Sequence, residues 1–185
     1  MIKMVRTLLL KEFLKDKKVG SIKSSSKFLV KAICDRIDFN GNKLIVEYGP
    51  GTGVLTKAIL KKMNFKSKFI IIETNKKFVS ALEMINDKRL IIINDSAENI
   101  EKIMRNLGIN KADYVISGIP FSFLKNASKE KIITGTKKIL LDKGYFFVYQ
   151  VRKIIEKDLK KYFSKIKKHY EVRNIPPLII FECEK

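Results

Sequence analysis

The chain has 185 residues, 45% of them hydrophobic, and its 39 Lys and Arg against 19 Asp and Glu give a net charge of +20. That length suits one well-buried domain, and the composition excludes a disordered or repetitive chain and, with only Cys34 and Cys183, a disulfide framework. No run reaches the ~20 apolar residues of a membrane span and no small-residue cleavage site follows the N-terminal apolar part, so a cytoplasmic protein is expected, its charge favouring a polyanionic partner, nucleic acid or anionic lipid.

In chain order, the first 40 residues contain no strand-like run. Ile2, Val5, Leu9 and Phe13 share one helical face, with Lys3, Arg6 and Lys11 off it, and a second helix is expected from Ser26 to Ile37. Residues 1–40 thus read as a basic helical lead-in, of a kind that suits a membrane surface or packing on a sheet. From residue 41 to 185, short apolar runs alternate with amphipathic ones. KLIVEY, KFIIIET, RLIIIND, ADYVISG and GYFFVYQV are the expected strands, separated by helices at 54–63, 76–85, 100–106 and 129–141. Continuous apolar strands between helices indicate an α/β domain with a doubly wound, Rossmann-like parallel sheet. A basic helix is expected over 154–167, followed by strands HYEVRN and LIIFECEK. The Ile175-Pro176-Pro177 connection is too short for a crossover helix, so one strand must run against the others.

The first strand leads into Gly49, Gly51 and Gly53, spaced G-x-G-x-G. This is neither the dinucleotide fingerprint nor a phosphate-cradling P-loop, so a pyrophosphate ligand is disfavoured. Acids stand at three successive strand ends: Glu47, Glu73 and Asp95. They suit a ligand carrying hydroxyls, an amine and positive charge, and Glu73, 20 residues past Gly53, is where a carboxylate holds a ribose diol.

EYGPGTG, the acid in IIIETN, NDSA and SGIPF together resemble the successive motifs of class I S-adenosylmethionine-dependent methyltransferases, over residues 43–185. The resemblance implies that Gly49, Gly51 and Gly53, with Pro50 and Thr52, accommodate the methionine part of S-adenosylmethionine, with Glu47 near its amino group. It further implies that Glu73 and Thr74 lie at the ribose, Asp95 at the adenine amine, Ser96 and Ala97 at the adenine edge, and Ser117 and Gly118 beside the transferred methyl. Ser117, Gly118, Ile119, Pro120 and Phe121 are the expected catalytic segment, and no metal is expected.

Within the class, two groups are similar: ribosomal RNA adenine dimethyltransferases and bacterial-type phospholipid N-methyltransferases. The first carry Asn in G-N-[IL]-P-[YF], where this chain has Gly118. They also usually have a further helical domain after the sheet, which has no counterpart before Lys185. S-G-I-P is similar to the phospholipid enzymes, as are VGSIKSSS at 19–26, with Ser24 in place of the usual Pro, and RNIPP at 173–177. That likeness implies a peripheral membrane enzyme methylating phosphatidylethanolamine, with Lys23, Ser24, Ser25 and Arg173 seating the headgroup phosphate. The alternatives are a ribosomal RNA adenine N-methyltransferase and an inactive cofactor- or RNA-binding protein of the same fold. Lone His169 lies away from the motif-bearing strand ends and is expected at the surface.

Overall fold

The computed structural model describes residues 27–185. The first helix, α1 (Lys27–Cys34), precedes β1 (Leu44–Tyr48), α2 (Val54–Lys62), β2 (Lys68–Ile72), α3 (Lys76–Leu82) and β3 (Leu90–Ile93). Then come α4 (Ile100–Asn106), β4 (Ala112–Ser117), α5 (Asn126–Ile139), β5 (Leu140–Gln150), α6 (Glu156–Tyr162), β6 (Lys165–Glu171) and β7 (Leu178–Glu184). The strands form a single sheet in the order β3-β2-β1-β4-β5-β7-β6. β1 to β5 pair in parallel, and β7 enters antiparallel between β5 and β6, which gives the expected doubly wound sheet with one reversed strand.

The period-two alternation of each strand sorts its side chains to two faces. Val46, Ile70, Val115 and Phe146 lie on one face under α4, α5 and α6, through Ile100, Ile133 and Leu159. Ile45, Phe69, Ile116 and Phe147 lie on the other under α1, α2 and α3, through Ile33, Ile59 and Phe78. Residues 27–34 of the expected lead-in are therefore part of the domain core. Cys34 and Cys183 are buried free thiols, which desolvation pushes up to about 11 and about 12.

Where α2 ends against the sheet, Arg89 donates to the carbonyls of Met63 at 2.6 Å and Leu60 at 2.7 Å, and its guanidinium holds the Asp87 carboxyl down at about 2. Arg89→Ala orphans both carbonyls. It is expected to lower unfolding stability by about 2 kcal/mol, read from the urea midpoint.

The helix expected over 129–141 lies at Asn126–Ile139, those expected over 76–85 and 26–37 are shorter, and the largest shifts are near the C-terminus. The basic helix expected over 154–167 is a short 3-10 turn at Lys153–Ile155 followed by α6, and β6 already begins at Lys165. The strand expected at 169–174 accordingly lies four residues earlier, while 172–174 belong to the turn. β6 is one edge of the sheet: Lys165, Lys167 and Lys168 are exposed, and Lys165 reaches Glu184 across the pair at 2.8 Å. A charged edge strand discourages pairing with other chains, and its lysines carry no apolar signal.

Candidate functional site

Strand order reverses between β1 and β4, and the crevice above their carboxyl ends is where an open α/β sheet binds ligands. The sequence puts its glycines there. Gly49, Gly51 and Gly53 all have positive φ, at 66°, 55° and 72°, a region closed at low cost to any side chain but glycine's. The turn is tied to the sheet by Gly49 N donating to Ile72 O at 2.9 Å. It is tied to the next strand end by Gly51 N donating to Glu73 Oε2 at 3.3 Å. A Cβ on Gly53 would stand 2.7 Å from Leu82 Cδ2, so glycine also lets α2 pack against α3; a Cβ on Gly51 would meet only open space, the space of the crevice.

Glu47 is fully buried beneath this turn. Thr56 on α2 donates to its Oε2 at 2.6 Å, whereas Oε1 has no partner. Burial, reinforced by the Glu73 charge and opposed by the Thr56 hydrogen bond, pushes the carboxyl up to about 7. A buried carboxylate oxygen without a donor is costly by itself and fits a ligand amine or ammonium. Glu73, also buried, accepts from Asn75 N at 2.8 Å as well as from Gly51 N, and desolvation raises its pKa despite these bonds. Asn94 clamps the segment by donating to the carbonyls of Glu73 and Thr74 at 2.8 and 3.2 Å.

Asp95 is partly exposed after β3. Its Oδ1 accepts from Asn99 Nδ2 at 2.8 Å and Ser96 N at 2.6 Å, which lower its pKa. Ser96 caps the 3-10 turn at Ala97–Asn99 by accepting from Glu98 N, and Ala97 is buried.

After β4, Gly118 N donates to Tyr48 O at 3.0 Å, which sets the SGIPF segment against the glycine turn. Ser117 is fully buried and accepts from Ile119 N at 3.3 Å; Gln150 donates to Ile119 O at 2.7 Å and fixes the segment from β5. Phe121, the last residue of the expected catalytic segment, is a core residue, and Phe123, two residues on, is the exposed aromatic. Gly118 leaves no room for a side chain: a Cβ there would collide with the Tyr149 hydroxyl, would lie 2.8 Å from its Cζ and 3.2 Å from Gly49 O. Tyr149 is itself buried at the end of β5.

The crevice therefore brings together Glu47, the glycine turn, Glu73 and residues 117–119, with Thr74, Pro50 and Thr52 in the same loops and Asp95 to Ala97 at the next strand end. Lys23, Ser24, Ser25 and the helix expected near the N-terminus lie outside the described residues. Arg173 stands at the β6–β7 turn, bidentate on Glu171 at 2.8 and 2.7 Å and stacked 4.8 Å over Phe28. Thr56 and Tyr149 went unnoticed in the sequence. Thr56 was within reach, one turn into the helix below Glu47, and Tyr149 follows from aligning the ends of β4 and β5. Among the described residues no His, Cys, Asp and Glu cluster could hold a metal, and no helix is long and apolar enough to cross a membrane.

The family model for ribosomal RNA adenine dimethylase matches residues 12–117, more than half of the chain. An ornithine lipid N-methyltransferase of Singulisphaera acidiphila is 24% identical over 168 residues, covering 89% of this chain and 88% of that protein. The ribosomal RNA small subunit methyltransferase A of Mycoplasma capricolum subsp. capricolum is 36% identical over 98 residues, covering 50% of this chain but only 35% of the relative's own length. Among solved structures, Aeropyrum pernix fibrillarin with natively bound S-adenosyl-L-methionine shares the fold, at 12% identity and a TM-score of 0.66, over 84% of this chain and 74% of that one. The protein is a class I S-adenosylmethionine-dependent methyltransferase and belongs to the ribosomal RNA adenine dimethylase family.

Proposed function

We propose that this methyltransferase acts on the primary amine of a membrane-lipid headgroup, phosphatidylethanolamine in the first instance, as a cytoplasmic protein held at the membrane surface. The observation that carries this reading is Gly118. Where the adenine-directed motif has an Asn to orient a flat aromatic amine, this chain has no side chain, and Tyr149 fills the space one would need. The similarity to a lipid N-methyltransferase over nearly the whole of both chains supports it.

In this reading Glu47 Oε1 receives the amino group of the cofactor, and Glu73 holds its ribose hydroxyls beside Thr74. Asp95, Ser96 and Ala97 border the adenine, and Gly49 to Gly53 give the methionine part its backbone cradle. When bound, S-adenosylmethionine supplies an electrophilic methyl on a sulfonium, which needs alignment with the acceptor more than acid catalysis. Ser117 to Pro120, pinned by Gln150 and Tyr48, form the rigid wall against which the acceptor amine is aligned. An alkyl amine has a pKa of about 10 in water, and transfer into this largely buried crevice favours its neutral, nucleophilic form. Arg173, with Lys23, Ser24 and Ser25, is assigned to the headgroup phosphate.

Glu73→Ala is expected to weaken cofactor binding on the order of 100-fold by titration calorimetry, the cost of two hydrogen bonds to a charged group. Glu73→Gln, which retains an acceptor for Gly51 N, separates this from damage to the turn.

The acceptor is tested by offering cofactor labelled in its methyl group to vesicles of phosphatidylethanolamine, to vesicles of ornithine lipid and to undermodified ribosomal RNA. Label in the first confirms the proposal and label in the second alone moves it to another lipid amine. Label confined to RNA overturns it, and cofactor binding without label anywhere favours an inactive binding protein.

A further inference from the structure

The described residues expose ten large apolar side chains, and six of them, Phe123, Val151, Ile154, Tyr170, Val172 and Ile175, stand at the carboxyl edge of the sheet. Ile175 is 80% exposed and Val172 70%, values that a globular surface rarely gives to aliphatic residues so close together. Phe123 follows β4, Val151 and Ile154 follow β5, and Tyr170, Val172 and Ile175 lie at the end of β6 and in its turn to β7, so they share the sheet edge that carries the glycine turn.

The segments are in mutual contact. Lys153 Nζ lies 5.9 Å from the centroid of the Tyr170 ring, joining the turn after β5 to the end of β6, and Gln150 ties the β5 end to Ile119. Their charge is mostly one-sided: residues 121–125, 151–155 and 170–177 contain Lys125, Arg152, Lys153 and Arg173 against one acid, Glu171, which is buried and paired with Arg173. All four basic residues are exposed.

We infer that this edge docks on an anionic phospholipid bilayer, the apolar tips entering the interface and Lys125, Arg152 and Lys153 meeting the lipid phosphates. Protruding aliphatic side chains gain from transfer into the interfacial region, and lysines and arginines beside them gain from the negative leaflet. An RNA backbone would reward the same cations but offers nothing to Val151, Ile154, Val172 and Ile175. The inference deepens the lipid-acceptor proposal, because docking in this orientation turns the crevice towards the headgroups.

The chain has no tryptophan, so single tryptophans report their own surroundings. Full-length Ile154→Trp and Ile175→Trp are expected to shift their emission to the blue on mixing with phosphatidylcholine–phosphatidylglycerol vesicles. Phe65→Trp and Leu141→Trp, exposed apolar positions at the opposite edge, where β2 and β5 begin, are expected not to shift. The double variant Ile154→Asp, Ile175→Asp should sediment with these vesicles at least about tenfold more weakly, the cost of losing one buried aliphatic group or more, with cofactor binding intact. Vesicle binding without a shift at 154 and 175, a shift at all four positions, or a shift produced by RNA and not by vesicles overturns the docking surface. Methyl transfer to monodisperse short-chain phosphatidylethanolamine, which needs no bilayer, separates the two proposals. Its absence in the unsubstituted protein removes the acceptor reading while the fluorescence result stands, and its retention in the double aspartate variant, with vesicle binding lost, confirms that the edge serves docking.

Discussion

Glu47→Gln is expected to stabilise the cofactor-free protein above pH 7 while weakening S-adenosylmethionine binding on the order of 10- to 100-fold. The Glu47 carboxyl titrates near 7 in the folded chain against an ordinary 4.5, because burial opposes its charge more than Thr56 supports it. Between those values the folded chain keeps a proton that the unfolded chain has released, so folding is favoured below about 4.5 and loses that advantage as pH rises through about 7. Glutamine is neutral throughout and still accepts from Thr56. The variant should therefore lack this pH dependence and be more stable at pH 8 by on the order of 2–3 kcal/mol in denaturant melts. A buried charge kept at a cost to stability is what a binding group looks like, and the same substitution removes the acceptor at Oε1 that has no protein donor. Unchanged calorimetric affinity would remove Glu47 from the cofactor site; a flat stability difference across pH would contradict its burial as a titrating group.

Gly118→Asn is expected to abolish methyl transfer and to destabilise the fold by about 1–3 kcal/mol, the usual cost of forcing extra atoms into a packed site. The new Cβ meets the Tyr149 ring and the carbonyl of Gly49, and that ring is itself buried among core side chains. Tyr149→Ala alone leaves a cavity and costs a few kcal/mol. Combined, the two changes should cost less than their sum by at least about 1 kcal/mol, because the ring is the obstacle. Additive effects would mean that the ring yields easily and that glycine at 118 does not depend on Tyr149. Activity is the second readout: a double variant that folds yet methylates no lipid separates the wall formed at 117–120 from mere packing.

The sheet was legible because its parallel strands are apolar on both faces, so LIVEY, KFIII and even LIII at the β3 edge announce themselves without help from alternation. β6 was not, because Lys165, Lys167 and Lys168 stand on a solvated edge and their spacing mimics the exposed side of a helix. In the site, the glycine turn and the acids were readable as local patterns. What escaped were partners brought in by folding. Thr56 comes from the next helix, and the Tyr149 ring reaches Gly118 from a strand 31 positions later, which no motif spacing encodes. Phe121 was expected in the catalytic segment with Ser117 to Pro120, yet its ring belongs to the core and the exposed ring is Phe123. Arg173, which the likeness to the phospholipid enzymes and its charge assign to the headgroup phosphate, is already engaged by Glu171 in two hydrogen bonds, so a phosphate must compete with that pair.

The most direct measurement of the acceptor is fragment mass spectrometry after one incubation of protein and S-adenosylmethionine with phosphatidylethanolamine vesicles and undermodified ribosomal RNA together. Methyl increments on the ethanolamine headgroup, with the RNA adenines unchanged, are the expected result. Methylated adenine in the RNA beside an unmodified headgroup would contradict the account.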